Sequence, residues 1–201
     1  MILKGWRTLM LSKFFSFFLK LLYRSGSYFR GVKLYFVINL AGGKCRGVPR
    51  VGKGLSLKYP PHSGYDVGRG LDLGPGCLFD VPPSGKLFVG DNVKMTAGVV
   101  VSAVKSVSIG NDCLIAEWVS IRDAQHLYSR ENLIREQSLD ISDIVIEGDV
   151  WIGRSSAVLL GAYLERGCVL GAHSLVKGKR LIGYALYVGT PAKKAKDRVV
   201  K

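Results

Sequence analysis

No stretch of the 201 residues is apolar for long enough to cross a bilayer. The strongest run, Phe14 to Leu22, is broken by Lys20 and preceded by Lys13, well short of the ~18 residues a span requires. No small-residue cleavage site follows, since Leu21-Leu22-Tyr23-Arg24 is wrong for one, so a secretory leader is not expected. Cysteine is scarce, at four with no CxxC pair. That argues against a disulfide framework and a thiolate metal clip, and it suits a reducing compartment. Proline is scarce too, at seven, and the lack of a Gly-X-Y period excludes collagen. Glycine nevertheless stands at 25 of 201, above the usual ~7%, which predicts many tight backbone corners.

Acid is missing altogether from Met1 to Tyr65, where 12 basic residues stand alone; the first carboxylate is Asp66. Lys177 to Lys201 adds 8 basic residues against one acid, Asp197, while the stretch between holds 9 basic and 14 acidic residues. The net charge of +14 thus belongs to two basic ends on an acidic body. That pattern favours anionic partners met at two places over a protein that coats nucleic acid. The basic ends also lack the interleaved stacking aromatics of a nucleic-acid module, so no specific nucleic-acid partner is expected.

On a helical wheel Lys13, Lys20 and Arg24 share a face with Ser16, opposite Leu11, Phe14, Phe15, Phe18 and Leu22. An aromatic-rich apolar face beside a cationic one suits a helix lying in an anionic membrane interface, through residues 1–40. The same pattern suits a helix capping the main domain, and both readings stand.

Past residue 50 an aliphatic residue followed by glycine recurs, as at Val67-Gly68, Leu73-Gly74, Ile109-Gly110, Ile152-Gly153 and Leu170-Gly171. Ile146, Ile152, Val158, Leu164, Leu170 and Val176 form a continuous series at a spacing of six. Ile109, Ile115 and Ile121 repeat it, as do Val67, Leu73 and Phe79. Six is not the 3.6 of a helix; it fits a short strand plus a corner, with one aliphatic turned inward per face and glycine easing the turn. Three faces make one coil, so Ile109 to His126 reads as one coil and Ile146 to Leu181 as two more. Cys77, Cys113 and Cys168 occupy a small-residue slot of the repeat and read as buried packing thiols.

The segment IVIEGDVWIGRSSAVLLGAYLERGCVLGAHSLVKGK, followed by YVGTPAKK, resembles the hexapeptide-repeat acyltransferases. The resemblance implies an all-β solenoid, a left-handed parallel β-helix, with acetyl-CoA as co-substrate and a homotrimer with active sites between subunits. The expected organisation is an N-terminal basic amphipathic helical segment over 1–48, the β-helix over 49–181 with an excursion at 127–145, and a basic C-terminal element over 182–201.

A solenoid's function tends to sit where its repeat fails. The longest failure follows His126, and the family's acetyltransferases carry their catalytic histidine at the matching place. A sugar hydroxyl is too weak an acid to ionise near neutral pH, so its attack on a thioester needs a base within reach. Imidazole, with an ordinary pKa near ~6.5, suits that role. His126 is therefore the expected catalytic base, with Asp123 either orienting the ring or lying on a solvated face. No Ser or Cys adjoins it, which points to direct transfer. His62 and His173 are weaker candidates, and the three histidines lack credible spacing for a zinc site, so no metal is expected.

By resemblance, the corner residues Gly153, Arg154, Gly171 and Ala172 would offer backbone groups to the pantetheine arm. Lys177, Lys179, Arg180, Lys193 and Lys194 would meet the phosphates. Trp151, in VWIG, and Arg130, in the excursion, are expected at the acceptor; Trp118 reads as surface packing. Residues that bind sugar in galactoside-type members fall at Thr96 and Val104 here, so galactoside specificity is not implied. The expected function is acetyl transfer to a sugar hydroxyl of a surface glycan or its precursor, in the cytoplasm or on the cytoplasmic face of a membrane. N-acetylation of an amino sugar and a non-catalytic β-helical scaffold are the alternatives.

Overall fold

The computed structural model describes residues 25–199, so the amphipathic pattern read over residues 11–24 lies outside the described residues; a helix spans 25–40. Beyond that helix the chain winds into a parallel solenoid with three walls. Wall one stacks Lys44–Cys45, Tyr65–Val67, Lys86–Val89, Ser106–Ile109, Ile144–Ile146, Tyr163–Leu164 and Arg180–Leu181. Wall two stacks Arg50–Val51, Asp72–Leu73, Lys94–Met95, Leu114–Ile115, Trp151–Ile152, Val169–Leu170 and Ala185–Val188. Wall three stacks Ser56–Leu57, Leu78–Asp80, Val100–Ser102, Ser120–Arg122, Ala157–Leu159 and Leu175–Val176, one strand for each of six complete coils.

The period of six places its aliphatics as expected. In wall one Val67, Val89, Ile109, Ile146, Leu164 and Leu181 stand in register. In wall two Leu73, Met95, Ile115, Ile152 and Leu170 do so. In wall three Phe79, Val101, Ile121, Val158 and Val176 complete the set. Each is buried, and each such side chain contributes about 1.5–3 kcal/mol on leaving water. Neighbouring coils supply one another's cover, so no coil has a core of its own.

The repeated glycine has a different cause from the expected one. A Cβ on Gly74 would lie 2.5 Å from the carbonyl carbon of Thr96, and one on Gly153 would lie 2.6 Å from the amide nitrogen of Ala172. The glycine after the aliphatic is thus required by the close stacking of one coil's backbone on the next. Left-handed backbone falls elsewhere in the repeat. At the edge between walls two and three it is adopted by Gly54, Gly76 and Gly98, then by Trp118, Ser155 and His173.

Both ends of the solenoid are covered. The helix over 25–40 buries Leu34 and Ile38 against the first coil. The Arg30 Nε–H donates to the carbonyls of Val51 (2.9 Å) and Gly52 (3.1 Å), and the Asn39 side chain both donates to and accepts from the Cys45 backbone at 3.1 Å. At the other end Lys193–Asp197 runs antiparallel to Ala185–Val188 and closes wall two.

All four cysteines are buried and free. Burial pushes the thiol of Cys113 up to about 11 and that of Cys168 up to about 12, so neither is a nucleophile near neutral pH. A thiol-specific chromogenic reagent is expected to label none of the four in the native protein at pH 8 and all four after unfolding. Rapid native labelling would mean that the coils open locally.

Candidate functional site at the coil break

Between Arg122 in wall three and Ile144 in wall one, the chain leaves the solenoid at the edge where those walls meet. Asp123 fixes the point of departure. It is wholly buried, and its carboxylate accepts three backbone N–H groups from the corner below: Val104 (2.8 Å), Lys105 (2.7 Å) and Ser106 (2.7 Å). The Asp123 carbonyl accepts from Ser142 N–H at 3.0 Å, tying the outgoing chain to the returning one. An ion pair between Lys105 and Asp143 at 3.2 Å adds a second tie.

From that root Ala124–His126 pairs antiparallel with Leu139–Ile141, His126 opposite Leu139. A short 3-10 turn, Ile134–Glu136, lies at the tip. The Gln137 side chain closes the tip, accepting from Ser129 N–H and donating to the carbonyls of Ser129 and Asn132, each at 2.8 Å. The break is therefore an ordered hairpin. His126 ends its outgoing strand, exposed, with a ring that takes no hydrogen bond among the described residues.

Two expectations change here. The coil ends at Arg122 with Asp123 at the corner, so His126 stands on the excursion three residues out rather than closing its coil. Asp123 does not orient the ring, because both its oxygens are engaged by backbone N–H groups. It acts as an anchor for the corner, a role that its place before a break would have allowed but that the periodicity does not reveal. Gln137 was missed for a similar reason, since nothing in its spacing marks it.

The remaining candidates are spread over the edges, walls and ends of the prism. Gly153, Arg154, Gly171 and Ala172 gather on the edge between walls two and three, with Gly153 against Ala172. Arg154 is paired there with Glu117 at 3.4 Å, and the exposed Trp118 lies against Gly98 on the same edge. Lys177 and Lys179 lie on the edge between walls three and one, the edge from which the hairpin leaves. Gly161 links them to it, having Gly178 on one side and Ser142 on the other. Arg180 is already engaged: its Nε–H donates to Glu165 at 2.6 Å, and its guanidinium lies 4.3 Å from the Tyr163 ring centroid. The Gly183 N–H and Arg180 together hold the Glu165 carboxyl below its usual range. Lys193 is exposed on the closing strand, and Lys194 is paired with Asp197 at 2.6 Å. Lys177, Lys179 and Lys193 form no ion pair with a described residue.

Between the two edges runs wall three, whose outward residues in the upper coils, Ala157, Leu159 and Leu175, are apolar and half-buried. Gly189 and Ala192, from the VGTPA element, bond to the Leu175 backbone and lengthen this wall by one rung.

Trp151 lies on wall two, half exposed, with Leu114 and Val169 as its register neighbours. The edge between walls three and one faces away from wall two in a three-walled prism, so one chain does not bring His126 and Trp151 together. Arg130 is at the hairpin tip in a shallow concavity with Tyr128, Leu133 and Arg135. His62 is structural: its Nδ1 accepts from Gly64 N–H at 3.0 Å, which leaves Nε2 as the donor towards the Val81 carbonyl at 3.3 Å. His173 is an exposed corner residue.

With this geometry the chain resembles known proteins. It is 34% identical over 155 residues to a probable acetyltransferase of Mycobacterium tuberculosis, across 76% of this chain and 51% of that protein, so it spans about half the length of that relative. It is 34% identical over 136 residues to WbbJ of Escherichia coli, a putative lipopolysaccharide biosynthesis O-acetyl transferase, across 64% of this chain and 69% of the relative. Among solved structures, a hexapeptide-repeat containing acetyltransferase of Vibrio cholerae, complexed with acetyl coenzyme A, superposes with a TM-score of 0.59 at 25% identity, over 68% of this chain and 72% of that one. No family model matches the chain.

Asp123→Ala strands three backbone N–H groups at the corner. At about 1–3 kcal/mol for each buried donor left unsatisfied, the loss is expected to exceed about 3 kcal/mol by urea denaturation. Asp123→Asn, which keeps an acceptor oxygen, is expected to lose less. Equal stability of all three proteins would remove the anchor.

Proposed function

Because the chain belongs to the hexapeptide-repeat acetyltransferases, we propose that it moves an acetyl group from acetyl-CoA to a hydroxyl of a sugar acceptor, a surface glycan or its precursor. The observation that carries this reading is His126: an exposed, unengaged imidazole held on an anchored hairpin where the solenoid breaks. The O-acetyl transferase named among its relatives favours a hydroxyl over an amine.

In the proposed reaction the neutral His126 ring accepts the acceptor's hydroxyl proton as that oxygen attacks the acetyl carbonyl carbon. A C–O bond forms, and the tetrahedral oxyanion is stabilised by a backbone N–H at a coil corner. Collapse breaks the C–S bond, and the imidazolium returns its proton to the departing thiolate. The products are the acetyl ester and free CoA, with no acyl-enzyme. The cofactor would lie along wall three, its pantetheine arm against the edge that holds Gly153, Gly171 and Ala172. Lys177, Lys179 and Lys193, unopposed by carboxylates, would take its phosphates; Arg154, Arg180 and Lys194 are partly neutralised and contribute less. We place the reaction in the cytoplasm, where buried thiols stay reduced.

Trp151 and His126 face opposite sides of one chain, so their action at one site requires two copies. A homotrimer supplies this, each acceptor site combining the hairpin of one protomer with wall two of the next.

With free CoA as the readout and hydroxy- and amino-sugars as acceptors, His126→Ala is expected to lower kcat by about 10²-fold or more, with stability unchanged. Mixed oligomers of His126→Ala and Trp151→Ala protomers should regain activity that neither parent has. Full activity of His126→Ala would refute the base, and failure of complementation would refute the shared site.

A further inference from the structure

The helix over 25–40 has two faces. Gly31, Leu34 and Ile38 are buried against the first coil, whereas Phe29, Phe36 and Leu40 are exposed by 71%, 56% and 85%. With Lys33 these three lie at successive spacings of four, three and four, which is one stripe on the side turned away from the coils. Tyr28 and Val37 widen the stripe. A patch this apolar, left uncovered by the described residues, marks an interaction surface.

Charge selects the occupant. Lys33, Lys44 and Lys53 are exposed and form no ion pair with a described residue. No acid occurs before Asp66, and the 24 residues leading into the helix add Lys4, Arg7, Lys13, Lys20 and Arg24 among apolar residues. Beside the stripe, and sharing Lys33 and Val37 with it, a groove of about 290 Å³ runs between helix and first coil. Leu34, Val51, Leu55 and Leu57 line it together with Arg30 and Lys33. An aromatic and aliphatic stripe with Lys33 in it, in a segment that holds no acid before Asp66, matches a bilayer interface, apolar below its headgroups and anionic at its surface.

We propose that the outward face of this helix docks the protein end-on upon the surface of a membrane containing anionic phospholipid. Among the described residues no helix is long and apolar enough to cross a membrane, so the helix lies on the surface. Docking through the end of the prism leaves the three walls and the His126 hairpin free. This inference stands apart from the catalytic one, because it uses none of the residues assigned to the reaction.

The test is co-sedimentation of the full chain with phosphatidylcholine vesicles, with and without phosphatidylglycerol. Binding is expected only with the anionic lipid, and it should weaken as salt rises. Phe29→Ser/Phe36→Ser/Leu40→Ser, with residues 1–24 intact, is expected to lower the partition coefficient by about tenfold or more. Lys33→Glu is a milder second variant, expected to bind measurably less well while unfolding at the wild-type temperature. Three results would overturn the proposal: no binding of the wild type to anionic vesicles, equal binding of both variants, or a stripe-dependent self-association in sedimentation velocity that persists when vesicles are present.

Discussion

The structure depends on one constraint: each coil must lie at hydrogen-bonding distance from the next while its aliphatics point into a space that neighbouring coils share. A wall strand is only two to four residues long, far too short to be stable alone. Its backbone groups are satisfied by the coils above and below, as Thr96 N–H donates to Ile115 and Gly74 N–H to Met95. That demand explains both the six-residue aliphatic period and the glycine that follows Leu73, Ile109, Ile152 and Leu170. Any Cβ there would push adjacent backbones apart by more than a parallel ladder allows. It also explains why the ends need covers, because a terminal coil has one unsatisfied side.

The same constraint decides where chemistry can be placed. A residue inside a wall alternates strictly between core and solvent, and its backbone is committed to the ladder. A corner can release an excursion without breaking a rung, provided that something holds the corner shut. Asp123 does this: its carboxylate replaces, for residues 104–106, the backbone partners that a continuing coil would have offered. The hairpin can then project His126 into solvent while the coils on either side stay in register through Ser108 and Val145.

Legibility in the sequence follows from this division. The walls were readable because a buried ladder tolerates only aliphatic and small residues, so Ile146, Ile152 and Val158 announce three faces by spacing alone. The break was readable as the place where that spacing stops. Its internal form was not, since a two-stranded exposed hairpin imposes no apolar period and Leu139–Ile141 has no buried residue. Asp123 was misread because a carboxylate near a histidine suggests a pair, while the N–H groups it serves lie 17 to 19 residues away along the chain. Similarly, Arg180 reads as a free cation in sequence, and only the fold brings Glu165 beneath it. Glycine serves corners as expected at Gly54, Gly76 and Gly98, whereas the close approach that requires Gly74 and Gly153 leaves no trace within a single repeat.

Capping and docking, which the amphipathic pattern left as rivals, are compatible when one helix serves both. A cap needs a single apolar stripe to complete the first coil, and Leu34 and Ile38 provide it. Had capping been the helix's whole purpose, its far side would be expected to carry the polar residues of an ordinary surface helix. It carries Phe29, Phe36 and Leu40 instead, with Lys33 in the same stripe. Keeping large apolar groups in water gives the folded protein nothing and invites association, so their presence opposite a sufficient cap favours the proposed second contact. An anionic bilayer satisfies the apolar stripe and the unopposed lysines together, whereas an apolar protein groove would satisfy the first and leave the second uncompensated.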